Sequence, residues 1–186
     1  RFGKDHRWGA FWSLGFMWNI KNEAFLKDIE WLTNAQIKLS TGTSGNSEIP
    51  YYDHLALVAG DANYNDEAGI YPKQSGNEEL SWEQTWANNI GLTLGIFNRV
   101  NLNVDFYHKK TTNMLMLVPQ SYAITGVGNR WDNIGAMMNR GVEIAMDGDV
   151  IRTKDFTWNL SANVSYNKNK LLELYNGVEE YVNSTT

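Results

Sequence analysis

Long runs in which apolar and polar residues strictly alternate constrain this chain more than any other feature, because successive side chains of a β-strand point to opposite faces. Phe156, Trp158, Leu160, Ala162, Val164 and Tyr166 alternate with Thr157, Asn159, Ser161, Asn163, Ser165 and Asn167. Val100, Leu102, Val104 and Phe106 alternate with Asn101, Asn103, Asp105 and Tyr107, and Trp86, Ile90, Leu92, Leu94 and Ile96 with Ala87, Asn89, Gly91, Thr93 and Gly95. From Arg7 to Ile20 the even positions Trp8, Ala10, Trp12, Leu14, Phe16, Trp18 and Ile20 make one apolar face. Ile134, Ala136, Met138, Val142, Ile144 and Met146 oppose Gly135, Asn139, Gly141, Glu143 and Asp147, with Met137 and Arg140 as exceptions. A shorter run passes through Ala35, Ile37, Leu39 and Thr41. These six runs predict strands of about 8 to 16 residues, longer than the mean of about 5–6 in soluble proteins.

The connections alternate in length as well. Asn98-Arg99 is a tight turn, Gly148 to Asp155 is short and Lys21 to Asn34 is moderate, whereas Ser44 to Leu80 and Leu117 to Asn129 are long. Short turns at one end and long loops at the other are the pattern of an antiparallel up-and-down transmembrane β-barrel, with turns facing the periplasm and loops facing outside. Trp8 and Trp18 lie ten residues apart, which at about 3.3 Å per residue and a tilt near 40° gives roughly 25 Å of height, that of the apolar band of such barrels. Phe156 and Tyr166 repeat the spacing, with Trp158 beside the first. These five and Trp131 are the expected membrane-interface aromatics. A soluble sandwich with an aromatic inner face is the other architecture that alternation allows. The Asn, Ser, Thr and Gly of the second face suit a wet lumen better.

Composition closes off several classes. No apolar run approaches the roughly 18 residues of a membrane-spanning helix. The sequence has no cysteine, so disulfide frameworks and thiolate metal sites are excluded. A net charge of -5 over 186 residues, with no cluster of basic residues along the chain, argues against a nucleic-acid partner. His6, His54 and His108 have neither metal-ligand spacing nor a nucleophile elbow beside them, so no catalytic residues are assigned and no enzyme is expected. The 42% hydrophobic fraction looks globular, but a wall with one face in lipid and one in water averages to the same value.

Several segments, in order, resemble the barrel of the SusC/RagA family of TonB-dependent outer-membrane transporters. RFGKDHRWGAFWSLGFMWNI (Arg1 to Ile20) with FLKD (Phe25 to Asp28) is similar to the family's descending strand and periplasmic turn. IKLSTGTSGN (Ile37 to Asn46) resembles its ascending strand, with Ser44 where Thr is usual. GNEELSWEQTWANNIGLTLGIFNRVNLNVDFYHKKTTNML (Gly76 to Leu115) resembles a strand, tight turn and strand, with Glu78-Glu79 in place of the usual Pro-Asp pair. NIGAMMNRGVEI (Asn133 to Ile144) and TKDFTWNLSANVSYNKNKLLEL (Thr153 to Leu174) complete the series.

The resemblance implies about six strands of a roughly 22-stranded barrel, residues 1–186 being an internal barrel segment without the plug domain. That expectation fits a chain that begins at Arg1 without an initiator Met and ends at Thr186 after a polar run. It further implies active import of glycans, oligosaccharides or peptides across the outer membrane of a Gram-negative, Bacteroidetes-type bacterium. The implied partners are a SusD-like surface lipoprotein, TonB with ExbB and ExbD acting on an upstream segment, and outer-membrane lipid.

On this reading Trp12, Leu14, Phe16, Leu92, Leu94, Leu102, Val104, Leu160 and Val164 face lipid, and Asn89, Thr93, Asn101, Asn103, Asp105, Asn159, Ser161 and Asn163 face the lumen. Tyr51, Tyr52, Tyr64 and Tyr71, in the loop that also holds His54, are ligand-binding candidates, since tyrosine rings stack on the apolar C–H faces of sugars. Asp61, Asn63, Asn65 and Asp66 are spaced like the start of a calcium loop, yet the sixth position is not Gly and the twelfth is Pro72. No cofactor and no metal are therefore expected. Asn183-Ser184-Thr185 matches a glycosylation pattern that carries little weight in a bacterial protein. A passive or structural barrel, such as a porin or adhesin without TonB coupling, is the alternative that shares the alternation.

Overall fold

The structure, a computed structural model, describes residues 1–64 and 66–174, with the backbone alone at Tyr64. The glycosylation-type triplet and Asn65 lie outside the described residues. Ten strands are found among them, in chain order: β1 (Ser13–Asn19), β2 (Leu32–Asn46), β3 (Leu57–Tyr64), β4 (Glu67–Gln74), β5 (Glu83–Ile96), β6 (Val100–Thr112), β7 (Leu115–Pro119), β8 (Asn129–Asn133), β9 (Ala136–Arg152) and β10 (Thr157–Glu173). One helical turn, α1 (Tyr122–Thr125), follows β7. β1, β2, β5, β6, β9 and β10 form one antiparallel sheet in that order, with β1 and β10 at its edges. These are the six expected strands of an all-β barrel wall.

Register converts the alternation into two continuous faces. Trp18, Ile37, Leu92, Val104, Ile144 and Val164 form a single row across the six strands. The adjacent row on the same face reads Phe16, Leu39, Ile90, Phe106, Val142 and Tyr166. The opposite face carries Asn19, Gln36, Thr93, Asn103, Ala145 and Asn163 in one row. No second layer covers either face among the described residues, and every residue of β1 and of β10 is exposed. A soluble sandwich buries one face of its sheet against a second layer, and the described residues supply none. With its apolar row in lipid, such a sheet needs all backbone polar groups paired between strands.

The short and long connections fall on opposite ends. At the turn end, Ile96 to Arg99 close β5 onto β6 with an Arg99 N–H bond to Ile96 O of 3.0 Å and positive φ at both Phe97 and Asn98 (53°). That is a type I′ turn, whose twist matches the flanking strands. Thr153 to Phe156 joins β9 to β10 at the same end, tied by Thr153 N–H to Phe156 O at 2.8 Å. At the loop end, the two long connections are structured: β3 and β4 form a hairpin inside the first, and β7 and β8 form one inside the second.

The sequence boundaries shift at several strands: β9 runs on to Arg152, into the connection expected from Gly148, β6 extends to Thr112 and β10 to Glu173, while β1 shortens. β1 begins at Ser13 rather than at Arg7, so Trp8, 94% exposed, precedes the strand. Its separation from Trp18 is therefore not a distance along one strand. The height argument passes to β10, where Trp158 and Tyr166 share the apolar face within one continuous element.

Candidate functional site

The polar face of the sheet is linked by side-chain hydrogen bonds between strands. Asn89 Nδ2–H donates to Ser40 Oγ (3.1 Å), Thr93 Oγ1–H to Asn103 Oδ1 (2.8 Å), Asn101 Nδ2–H to Asp147 Oδ2 (3.0 Å) and Asn159 Nδ2–H to Asp149 Oδ1 (3.3 Å). A shallow depression on this face is lined by Asn89, Asp105, Tyr107, Lys109, Asn139 and Glu143. Its floor exists because residue 141 is glycine. A Cβ there would stand 2.5 Å from Tyr107 Oη, so the Tyr107 ring lies flat across the neighbouring strand. Lys109 Nζ sits 5.6 Å from the centre of that ring. Amides, a phenol, one ammonium and two carboxylates make a surface able to exchange hydrogen bonds with a polar solute, and nothing in it resembles a nucleophile with an oriented base.

At the loop end a compact joint connects the wall to its hairpins. Leu80, with 0% exposure, packs with Phe2 and Ile49, and Trp82, Leu115 and Trp131 close around them. The Phe2 and Phe11 rings flank Trp82 at 5.4 and 5.5 Å. Gly76 is required by close approach, since a Cβ would lie 2.6 Å from the Ala56 backbone nitrogen. Asn77 then spans three segments: its N–H donates to His54 O (3.0 Å), and its Nδ2 donates to Trp131 O and Asp132 Oδ1 (3.1 Å each). Asn133 does the same between Ser81 and Asn113, its Oδ1 accepting from Ser81 N–H at 2.6 Å. The Gly-Asn-Glu-Glu-Leu and Asn-Ile-Gly segments are thus the two halves of one joint. Removing the Asn77 amide strands its partners and costs roughly 1–3 kcal/mol locally. Asn77→Ala is expected to speed amide hydrogen exchange in β8 of the full-length protein while leaving β6 unchanged.

The candidate ligand aromatics belong to the first long connection. Tyr51 is exposed and has the Arg1 guanidinium 5.0 Å above its ring. Tyr52 is exposed with φ at 71°, and its carbonyl accepts from Gln74 Nε2–H at 3.0 Å. Tyr71 lies on β4, where a hydrogen bond to Asp61 and the Asp61 charge raise its phenol above the usual value, with Tyr122 adding to the shift. The side chain of Tyr64 lies outside the described residues. Of the calcium-type residues, Asp61 and Asn63 are on β3 and Asp66 occupies the hairpin turn with φ at 64°. The described residues hold no group of three or more His, Asp or Glu placed to share a metal ion.

A family profile described as TonB dependent receptor-like, beta-barrel matches residues 1–185. The chain belongs to the TonB-dependent receptor β-barrel family. Among its curated relatives, a TonB-dependent receptor of Formosa agariphila is 38% identical over 175 residues, covering 94% of this chain and 17% of that protein. The TonB-dependent receptor SusC of Bacteroides thetaiotaomicron is 36% identical over 189 residues, covering 95% of this chain and 18% of that protein. A solved structure of the RagAB peptide transporter superposes with a TM-score of 0.90 at 38% identity, over 100% of this chain and 21% of the matched chain. The SusC/RagA resemblance is thereby borne out, and the chain spans about a fifth of the length of these relatives.

In this receptor wall the aromatics expected at the membrane interface lie at different levels. Trp18 is on the outward apolar face with its Nε1–H donating to Glu23 Oε1 in the turn below (2.9 Å). Trp158 faces the same way, Phe156 immediately precedes β10 at the turn end, and Tyr166 lies at the loop side of the apolar rows. Trp131 does not lie on the six-stranded sheet. It sits on β8, and its ring packs against the joint. Three further aromatics, not among the expected interface residues, stand on this wall. Trp31 and Phe97 pair at the turn rim with centroids 6.5 Å apart, and Trp86 on the outward face donates to Thr41 Oγ1 at 3.0 Å. The alternation of β5 already placed Trp86 on the apolar side.

Proposed function

We propose that the whole protein is a TonB-dependent importer in the outer membrane of a Gram-negative bacterium, and that this chain is part of its barrel wall, with the plug elsewhere in the protein. Its cargo is a polar oligomer, a glycan, an oligosaccharide or a peptide, delivered with a SusD-like surface lipoprotein and driven by TonB with ExbB and ExbD. The observation that carries this reading is the two-faced sheet itself, apolar on one side and lined by hydrogen-bonded amides and hydroxyls on the other, in a wall that superposes on a peptide transporter with a TM-score of 0.90. The SusC relative and the RagAB neighbour support the lipoprotein partnership. Tyr51, Tyr52 and Tyr71, all exposed in the long first loop, are the side chains proposed to meet an arriving sugar or peptide first.

Energy coupling separates this proposal from a passive barrel. Cells carrying the full-length protein should accumulate a fluorescent oligosaccharide or peptide pool against its gradient, and a proton uncoupler or loss of TonB should abolish that accumulation. Uptake that persists unchanged without TonB would identify a porin-like channel instead.

A further inference from the structure

The outward face carries a cationic patch that no single strand reveals. Directly beyond the Phe106, Val142 and Tyr166 row, His108, Arg140 and Lys168 stand side by side on β6, β9 and β10. Lys110, Met138 and Lys170 form the next row toward the loop end, with Trp86 beside Lys110. Neighbouring strands bring directly opposed Cβ atoms to within roughly 4.5–5.5 Å, so five basic side chains share an area only three strands wide. Arg140, Lys110, Lys168 and Lys170 are exposed. Among the described residues the ion pairs are Arg130 with Asp132 and Arg152 with Asp149, and none involves this group. The carboxylates Asp105, Glu143 and Asp147 of the same strands lie on the lumen face.

Height locates the patch. Lys168 is ten residues beyond Trp158 on β10, about 33 Å along the strand and about 25 Å above it at a tilt near 40°, which is the top of the apolar band. Uncompensated cations on a lipid-facing surface are costly within hydrocarbon and are retained where they reach a polar partner at the interface. A cluster of Lys and Arg at that level attracts anionic headgroups, each cation contributing roughly 1 kcal/mol, or about fivefold in affinity. Arg gives bidentate recognition of phosphate and Lys a mobile point charge.

We propose that His108, Lys110, Arg140, Lys168 and Lys170 form a binding site on the outside of the barrel for the phosphate groups of an outer-leaflet glycolipid headgroup, with the Phe106, Val142, Ile144, Val164 and Tyr166 surface below it accommodating the acyl chains. The site lies on the face opposite the cargo path and stands whether the cargo is a glycan, a peptide or neither.

The test uses the full-length protein, purified in detergent and exchanged into nanodiscs containing a trace of phosphorylated lipid A or its chemically dephosphorylated form. Retained lipid per protein is counted by native mass spectrometry. Wild type should retain phosphorylated lipid A, and the quadruple variant Lys110→Gln, Arg140→Gln, Lys168→Gln, Lys170→Gln should lose more than about a hundredfold in retention, four steps of about fivefold. The charge-keeping variant with Lys110→Arg, Lys168→Arg and Lys170→Arg should retain it. Arg99→Gln with Lys154→Gln, at the turn end, should behave as wild type. Heat-modifiable migration on gels confirms that each variant has folded. Equal retention of dephosphorylated lipid, unchanged retention by a folded quadruple variant, or displacement of the lipid by millimolar inorganic phosphate alone would each overturn the proposal.

Discussion

Val104→Arg is expected to weaken folding of the full-length protein into a bilayer by about 2–4 kcal/mol, because Val104 is in a central outward row and arginine near the midplane of a barrel's lipid face costs about that much. The change next to it, Asn103→Arg, points to the other face and loses only the Thr93 hydrogen bond of 2.8 Å, worth about 1 kcal/mol. Two adjacent arginines on one strand are thus predicted to differ by about 1–3 kcal/mol, roughly fivefold to 150-fold in the folding equilibrium. Urea-dependent refolding into phospholipid vesicles, read by heat-modifiable migration, measures both. Equal costs at the two positions would mean that the faces are not divided between lipid and water.

The second large effect belongs to the loop end. Leu80 has no exposed surface and fills the space between Phe2, Ile49, Trp82 and Trp131, so Leu80→Ala is expected to cost about 2–5 kcal/mol by leaving a cavity. That cost should be local. The six-stranded wall is paired from β1 to β10 without using the joint, and regions of different stability open independently. Hydrogen exchange in the full-length protein should therefore rise strongly in β7 and β8 and stay unchanged in β6 and β9. Import should fall in parallel where loop order is needed to receive cargo. Unaltered exchange in β7 and β8 would show that the joint does not hold the hairpins.

The wall was legible in the sequence because its environment is periodic. Leu160, Ala162 and Val164 against Asn159, Ser161 and Asn163 announce two faces without any knowledge of their neighbours. The tight Phe97-Asn98 turn was legible for the same reason, as the gap between two such runs. The hairpins β3–β4 and β7–β8 were hidden inside what read as long loops, since Asp61 to Tyr71 and Leu117 to Asn133 carry no sustained alternation. The joint was half legible. Gly76, Asn77 and Leu80 were recognisable as a familiar segment, but that Asn77 reaches Trp131 and Asp132 is a contact across more than fifty residues of sequence. The packing of Trp131 on the joint was hidden for the same reason, its partners being invisible from its own strand. The cationic patch was least legible of all. Each strand contributes one or two basic exceptions, Arg140 among them, and only the register stacks them beside one another.

The central claim is that alternate residues of these strands meet lipid and water, and cysteine labelling tests it directly, since this chain has no native cysteine and any elsewhere in the protein is first replaced by serine. Single cysteines placed in turn from residue 159 to residue 166 of β10 in the full-length protein, spin-labelled in bilayers, report their access to dissolved oxygen and to a water-soluble nickel chelate. The account predicts oxygen access peaking at 160, 162, 164 and 166 and falling at 159, 161, 163 and 165, a period of two along the whole segment. A profile without that period, or one in which positions 160, 162 and 164 are as open to the nickel chelate as to oxygen, would contradict it.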